Sequence, residues 1–191
     1  LAEVEEAKKL HPEARVVTDI KGTPESRAGA DLGISPSTVK DVLARTEGRD
    51  LIVLPGPQLA DWAGFGGRVI HRWDKAVCQV HELALPEELA AAKGDLPQAR
   101  GAVQLLCRPE LLAMADFVGD SAGIHQFCSE SDWREFIVVS EAGLAEFLTS
   151  SMPDKIFYEP KSEIFWRNMK LTTLKSMVTR LEKDLGKASM E

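Results

Sequence analysis

The 191-residue sequence is poor in the features that mark secreted, membrane-spanning or nucleic-acid-binding proteins. Its three cysteines are too few and too widely spaced for a disulfide framework or a zinc motif, which predicts reduced thiols in an intracellular protein. No apolar run approaches the roughly 20 residues that span a bilayer. Acidic residues outnumber basic ones by 30 to 23, which argues against nucleic-acid binding, because phosphate contacts need clustered Lys and Arg.

The start of the chain leaves two locations open. No signal peptide is visible, and the sequence opens at Leu1 rather than at a methionine. We therefore expect that a targeting segment or another upstream part has been removed. A cytoplasmic and an organellar location are both compatible with this.

The sequence does contain an internal repeat. Ala30-Asp31 in GADLGIS matches Ala115-Asp116 in MADFVGDS, at an offset of 116 − 31 = 85 residues. The same offset relates other positions without a gap: Ala7-Lys8 to Ala92-Lys93, Arg15 to Arg100, Pro24-Glu25 to Pro109-Glu110, and Ile52-Val53 to Ile137-Val138. A single match can arise by chance, but matches that share one offset across most of a domain predict a duplicated unit.

Each copy has the same predicted order of elements. A helix (residues 4–10; 87–93) precedes an extended apolar segment (15–20; 101–106) and a short helix that begins at Pro24 or Pro109. Next comes a short strand that contains Ala-Asp, followed by a second helix. An uninterrupted apolar strand (LIVLP; FIVVS) comes last. Continuous Ile/Val/Leu runs are typical of parallel strands covered on both faces.

The predicted fold class is α/β, with two tandem pseudo-repeated domains of small parallel sheets flanked by helices, and a C-terminal helix. The predicted boundaries are 1–80 and 81–168 for the two units and 169–191 for the helix and tail. In that tail Leu174, Met177, Val178 and Leu181 recur at helical spacing. We expect this stripe to pack the last helix onto the body of the protein, or onto a partner.

Several phrases together resemble quinolinate synthase. CRPELLAMADFVGDSAG (107–123) is similar to the family's H-P-E-C-x-P-E-x-x-x-x-A-D-F-V-G-S-T-S-G segment, and FIVVSEAGLAEFLTSSMPDKIFY (136–158) to its F-I-V-x-T-E-x-G-L segment. NMKLTTLKSM (168–177) is similar to its C-x-x-M-K-x-x-T-L signature. The resemblance covers nearly the whole chain in order. It implies the second and third of three related α/β domains around a pseudo-threefold axis.

The resemblance also implies a cofactor. Family members condense iminoaspartate with dihydroxyacetone phosphate in NAD biosynthesis, on a [4Fe–4S] cluster held by one cysteine from each domain. The second of these cysteines corresponds to Cys107, whereas Trp166 stands where the third is expected. Tryptophan cannot ligate iron, and one thiolate cannot hold a cubane. Cys107 is therefore expected to be unused, and a cluster is expected only if the family activity were retained.

Other positions that the resemblance marks as functional also carry changed residues. The His and Glu before the second cysteine correspond to Gln104 and Leu106, and Leu106 cannot serve as a general acid or base. The Tyr and Asn of the Y-V-N motif correspond to Asp19 and Lys21. In the T-S-A-N loop, Pro36 stands in the place of the substrate-binding serine. We assign no catalytic residue.

The remaining candidates are Ser121 and Gly123, which keep the family chemistry at a helix start and are weak candidates for substrate binding. The preceding residue, Asp120, would oppose an anionic ligand there, and helix capping is the favoured role of Ser121. His81 matches a family histidine, but with Cys78 it makes no metal set, so a structural role is expected.

The leading hypothesis is a quinolinate-synthase-like protein that has lost catalysis and its cluster and is retained for its shape, as an accessory subunit of a larger protein assembly. One alternative is a fragment of an active quinolinate synthase, a transferase whose first domain is absent from this sequence. Another alternative is a sensor that binds a small carboxylate or phosphate at the helix that begins near Ser121.

Overall fold

The computed structural model describes residues 2–19, 24–35, 38–46, 50–54, 69–72, 78, 80–160 and 164–182. The first unit contains α1 (Ala2–Leu10), β1 (Arg15–Asp19), α2 (Pro24–Gly29), β2 (Leu32–Ile34), α3 (Val39–Ala44), β3 (Asp50–Leu54) and β4 (Val69–Arg72). The second unit contains a 3-10 turn (His81–Leu83), α4 (Pro86–Asp95), β5 (Arg100–Gln104), α5 (Pro109–Met114), β6 (Phe117–Gly119), α6 (Ser121–Glu130), β7 (Glu135–Val139), α7 (Ala142–Ser151) and β8 (Ile156–Tyr158). Two further helices follow, α8 (Arg167–Lys170) and α9 (Leu174–Glu182).

Within these ranges the strands form two parallel sheets of four strands with the same order, β2-β1-β3-β4 and β6-β5-β7-β8. Their registers are related by the repeat: Val17 lies opposite Leu32, and Ala102 lies opposite Phe117. Both pairs obey the predicted offset, because 102 − 17 = 85 and 117 − 32 = 85. The duplicated α/β architecture predicted from the sequence is therefore confirmed, whereas the boundaries at residues 80 and 168 remain predictions.

Each sheet is buried on both faces, as the unbroken apolar strands predict. In β7, Ile137 and Val139 face Leu89 of α4, while Phe136 and Val138 face the opposite cluster with Leu148 of α7. Successive side chains of a strand point to opposite faces, so a run without polar interruption suits a central strand with helices on both sides. Burying one such side chain stabilises the fold by about 1.5–3 kcal/mol.

The two units share a hydrophobic cluster. Leu105 and Leu106, which follow β5, are buried against Val17, Leu51 and other first-sheet residues. The corresponding face of the second sheet is covered by α6 and α7, each of 10 residues. The second unit thus contributes two apolar side chains to the core on this face of the first sheet.

A partly exposed aspartate occurs at the same place in each unit, at the amino end of the sheet. Asp31 accepts hydrogen bonds from the Val16 amide (2.8 Å) and from Lys8 Nζ (3.1 Å). At the same offset, Asp116 accepts from the Gly101 amide (2.7 Å) and from Lys93 Nζ (2.7 Å). Each aspartate joins three elements: the strand that it precedes (β2 or β6), the neighbouring strand (β1 or β5), and the first α-helix of its unit (α1 or α4).

The glycine in the second unit makes room for this contact. A Cβ atom on Gly101 would lie 2.9 Å from Lys93 Cε and 3.5 Å from Asp116 Oδ2. A larger residue would therefore push the lysine away from its aspartate. In the first unit Val16 occupies this position, and the lysine–aspartate distance is longer, 3.1 Å against 2.7 Å.

Three expectations need correction. The Ala-Asp pairs precede β2 and β6 rather than lie within them, because each aspartate side chain turns back to the neighbouring strand. The strand predicted over 101–106 ends at Gln104, whose side chain accepts from the Leu106 amide and forms a turn. The stripe of α9 does not pack onto the body: Leu174, Met177 and Val178 are 81%, 51% and 51% exposed.

Among the described residues, no helix combines the length and the apolar character needed to cross a membrane.

The Asp116 contacts predict a measurable loss of stability in Asp116→Asn. The amide side chain keeps the shape but loses the charge that attracts Lys93 and Arg100. We expect the free energy of unfolding to fall by about 1–2 kcal/mol, the value for hydrogen bonds to a charged group, reduced for partial exposure. Chemical denaturation at pH 7 measures it. Asp154→Asn, at an exposed residue, is the matched control and should change little.

The same contacts predict a pH dependence. Burial raises the pKa of Asp116, but the hydrogen bonds from Lys93 and the Gly101 amide lower it by more, so the net pKa is lowered. For Asp31 too, burial raises the pKa, and the hydrogen bonds from the Val16 amide and Lys8 lower it by more, so the net pKa is lowered. A lowered pKa stabilises the fold above the unfolded value of about 3.9, and this stabilisation is lost as the pH falls through the folded pKa. The difference between Asp116→Asn and the unchanged protein should therefore shrink below about pH 4; a constant difference down to pH 2 would contradict this.

Candidate functional site

In parallel α/β sheets, ligands bind where the carboxyl ends of the strands meet the following helices. In the second unit this edge is formed by the residues after β5, β6 and β7. They include Gln104 and Leu106, Asp120 before α6, and Glu141 before α7. These are also the segments to which the sequence assigns the candidate site.

The start of α6 is closed by an aspartate. Asp120 Oδ1 accepts from the Gly123 amide at 2.8 Å and is the N-cap of the helix. The expectation that Ser121 caps this helix is therefore wrong; Ser121 lies exposed in the first turn. A helix N-terminus attracts anions through its free amides and its dipole. Here a carboxylate of the protein itself takes that place.

The start of α7 has the same arrangement. Glu141 Oε2 accepts from the Gly143 amide at 2.9 Å, and Glu141 Oε1 lies 3.3 Å from Lys170 Nζ. The Trp166 amide also donates to Glu141 Oε1, at 3.5 Å. The segment before α8 is thus fixed at this edge, and it brings Trp166 to the carboxyl end of the second sheet.

The loop after β5 is buried and apolar. Gln104 is 3% exposed, and its Oε1 accepts from the Leu106 amide at 2.6 Å. Leu106 is 6% exposed and lies in the cluster shared with the first sheet. Neither side chain is placed to exchange a proton with a ligand in solvent.

Cys107 is fully buried, and its Sγ donates to the Val139 carbonyl at 3.8 Å. Burial raises the pKa of this thiol to about 12, with smaller contributions from Cys78 and Glu82. Iron and zinc bind the thiolate, so Cys107 would have to release its proton on binding, in surroundings that disfavour the charge. The expectation that Cys107 binds no metal stays a prediction.

A second cysteine has a possible metal-ligating neighbour, although the sequence analysis assigned this pair no metal-binding role. Cys78 is half-buried, and its Sγ lies 3.0 Å from Nδ1 of His81. Thiolate and imidazole are both ligands for transition metals. The signal was the C-x-x-H spacing, which puts both side chains on one side of a single turn. No group of three or more His, Cys, Asp or Glu suited to a metal ion occurs in the described part of the chain.

The first unit shows its corresponding edge only in part. Ser35 follows β2 and is 9% exposed, and its hydroxyl lies 2.9 Å from the Thr38 hydroxyl. The side chain of Asp19 and the whole of Lys21 and Pro36 lie outside the described residues. The predictions for these three positions therefore stay predictions.

Comparison with known proteins gives a consistent assignment. The family model "Quinolinate synthetase A protein" matches residues 1–190. The chain is 30% identical to a quinolinate synthase of Thermodesulfovibrio yellowstonii over 187 residues, which is 95% of this chain and 61% of the relative. It is 29% identical to a quinolinate synthase of Geotalea uraniireducens over 94% of this chain and 59% of the relative.

A further relative, "Quinolinate synthase 2" of Methanosarcina acetivorans, is 29% identical over 92% of this chain and 56% of its own length. The chain thus spans roughly three-fifths of the length of the curated relatives it matches, which cover it almost from end to end. Since the family model matches 190 of the 191 residues, the chain belongs to the quinolinate synthetase A protein family.

Proposed function

We propose that this chain is a quinolinate-synthase-like protein that catalyses no reaction, holds no [4Fe–4S] cluster, and serves as an accessory subunit of a larger assembly inside the cell. The observation that carries the proposal is the carboxyl edge of the second sheet, which the protein fills with its own groups. Leu106 is buried in the core there, Trp166 is held beside Glu141, and two helix starts are capped by carboxylates.

The residues present do not fit a cubane cluster. Such a cluster is held by cysteine thiolates. Cys107 is a buried thiol with a raised pKa, and Trp166 offers no ligand. Cys78 and His81 could together supply two ligands, fewer than a cubane needs. We therefore derive no reaction step on a cluster in this chain.

The charges at this edge also disfavour the substrates of the family. Iminoaspartate and dihydroxyacetone phosphate are both anions, and Asp120 and Glu141 lie at the helix starts where an anion would bind. In the part of the chain that the structure describes, Glu141 has a cation beside it, Lys170. The same argument weakens a small-anion sensor at Ser121 and Gly123, because the Gly123 amide is already bonded to Asp120.

The second candidate function is part of an active quinolinate synthase. The chain spans about three-fifths of its relatives, so further ligands and substrate contacts could come from a region outside this sequence. The observation that favours this candidate is the Cys78–His81 pair, a potential metal-binding pair whose cysteine is only half-buried. Trp166 and Leu106 argue against this candidate, because tryptophan cannot ligate iron and leucine cannot serve as a general acid or base.

Iron and sulfide content decides between these candidates. Protein purified without oxygen and then offered iron and sulfide should stay colourless and bind well under one iron per chain. A brown protein with about four irons per chain, the content of one cubane, would contradict the proposal. In that case Cys78→Ser and Cys107→Ser form a matched pair: loss of the colour in the first alone would identify Cys78 as the ligand.

Trp166→Cys tests whether one added cysteine ligand is enough for the carboxyl edge of the second sheet to bind a cluster. This change restores the cysteine that the resemblance implies. We expect no cluster, because Cys107 is fully buried with its Sγ directed to the Val139 carbonyl. We also expect a loss of about 1–2 kcal/mol in the free energy of unfolding, less than the roughly 3–5 kcal/mol for a fully buried tryptophan. Visible absorption after reconstitution and denaturant titration measure the two effects.

Trp133→Cys is the control, since it makes the same change at an exposed tryptophan whose ring stacks on Arg100 at 3.6 Å. Formation of a cluster in Trp166→Cys but not in Trp133→Cys would show that the scaffold still accepts iron and would overturn the proposal.

A further inference from the structure

The segment that leads into the last two helices is fixed to the second sheet at Ile164. This residue is 2% exposed and packs in one cluster with Leu89, Val103 and Ile137. Its carbonyl oxygen accepts from the Ala142 amide, in the first turn of α7, at 2.9 Å. Because its side chain and its main chain are both engaged, Ile164 anchors the segment at the carboxyl end of the sheet.

The residues after this anchor are held by one carboxylate. We call residues 165–170, which include α8, the strap. Within the described part of the chain, the polar contacts that join the strap and α9 to the sheet both end on Glu141 Oε1. The Trp166 amide donates to it at 3.5 Å, and Lys170 Nζ lies 3.3 Å from it. The other carboxylate oxygen of Glu141 accepts from the Gly143 amide, so Glu141 joins the strap to the start of α7.

The two strap contacts are longer than the ion pair at the amino end of the same sheet. There Lys93 Nζ lies 2.7 Å from Asp116 Oδ2, within the usual range of about 2.7–2.9 Å for a charged N–H···O bond. Lys170 is 32% exposed, so water and salt ions compete with Glu141 for its ammonium group. We therefore expect the strap to open before the sheet does.

A glycine makes room for the closed strap. A Cβ atom on Gly143 would lie 2.8 Å from Glu141 Oε2 and 3.1 Å from Lys170 Nζ. A side chain at this position would push the carboxylate and the ammonium group apart. The contact between Glu141 and Lys170 thus depends on glycine at position 143.

The helix beyond the strap begins without help from the sheet. The Thr173 amide donates to Ser176 Oγ at 2.9 Å, and the Ser176 amide donates to Thr173 Oγ1 at 3.1 Å. These reciprocal bonds cap α9 with its own side chains. Leu171 and Leu174, on either side of this cap, are 76% and 81% exposed. The position of α9 is therefore set through the strap.

We propose that Glu141 is a charge-controlled latch for the strap. Its contacts with Lys170 and the Trp166 amide hold the strap and α9 at the carboxyl edge of the second sheet. Loss of the ion pair releases them about the Ile164 anchor. Release moves Trp166 away from the edge at which parallel α/β units bind their ligands. This device goes beyond the proposed function and stands whether or not the chain holds iron, because its contacts involve no cysteine.

Hydrogen exchange of the full chain tests the latch, because amides exchange when their segment opens locally. In Glu141→Gln the side-chain oxygen still accepts from the Gly143 amide, but the charge that attracts Lys170 is lost. The Trp166 and Lys170 amides should exchange roughly 3- to 10-fold faster, the factor for one partly exposed charged contact, while the amides of β7 stay unchanged. Lys170→Met should have the same effect with the cap of α7 intact. Glu146→Gln, at an exposed position of α7, is the matched control and should change nothing.

Salt distinguishes a latch from a contact that only supports the fold. At about 1 M salt the screening length falls to about 3 Å, so strap exchange in the unchanged protein should rise roughly 2- to 5-fold. Lys170→Met should not respond to salt, and Gly143→Ala should exchange faster than the unchanged protein at low salt. Three results would overturn the proposal: equal strap exchange in Glu141→Gln and the unchanged protein, no effect of salt on the unchanged protein, or opening of β7 together with the strap.

Discussion

The fold depends on an aspartate that ties three elements together at the amino edge of each sheet. Asp31 and Asp116 each accept from a backbone amide of the central strand and from a lysine on the opening helix of the unit. One carboxylate thereby fixes where the outer strand begins and which face the helix covers. Because burial and charge partners act on it in opposite directions and the partners prevail, it stays ionised in the folded protein.

At the carboxyl edge, carboxylates have a different role. Asp120 and Glu141 cap the helices that follow β6 and β7, and each occupies an amide that an anionic ligand would need. The loop after β5 reaches the shared core through Leu106, which packs with Val17 and Leu51 of the first sheet. One buried leucine thus helps to join the two units at a position where the family resemblance implies a glutamate.

Much of this arrangement could be predicted from the sequence, because the repeat fixes relative positions. Once Ala30-Asp31 is aligned with Ala115-Asp116, the strand order and register of one unit apply to the other. The site was less predictable because it depends on contacts between residues far apart in the chain. Nothing local shows that Asp120 rather than Ser121 caps α6, or that Glu141 meets Lys170. The spacing of Leu174, Met177 and Val178 predicted the last helix correctly but did not show that these side chains are exposed.

Burial distinguishes the three cysteines from one another in a way that their correspondence to family positions cannot. Cys107 and Cys128 are both buried, and burial raises the pKa of Cys107 to about 12 and that of Cys128 to about 11. Their thiols stay protonated and act as small apolar groups in the core. Cys78 differs because it is only half-buried and has an imidazole nitrogen 3.0 Å from its sulfur. Of the three, Cys78 has the surroundings in which a thiol can react or bind a metal. Burial and neighbouring groups therefore distinguish the three sulfurs, whereas the resemblance alone singles out Cys107.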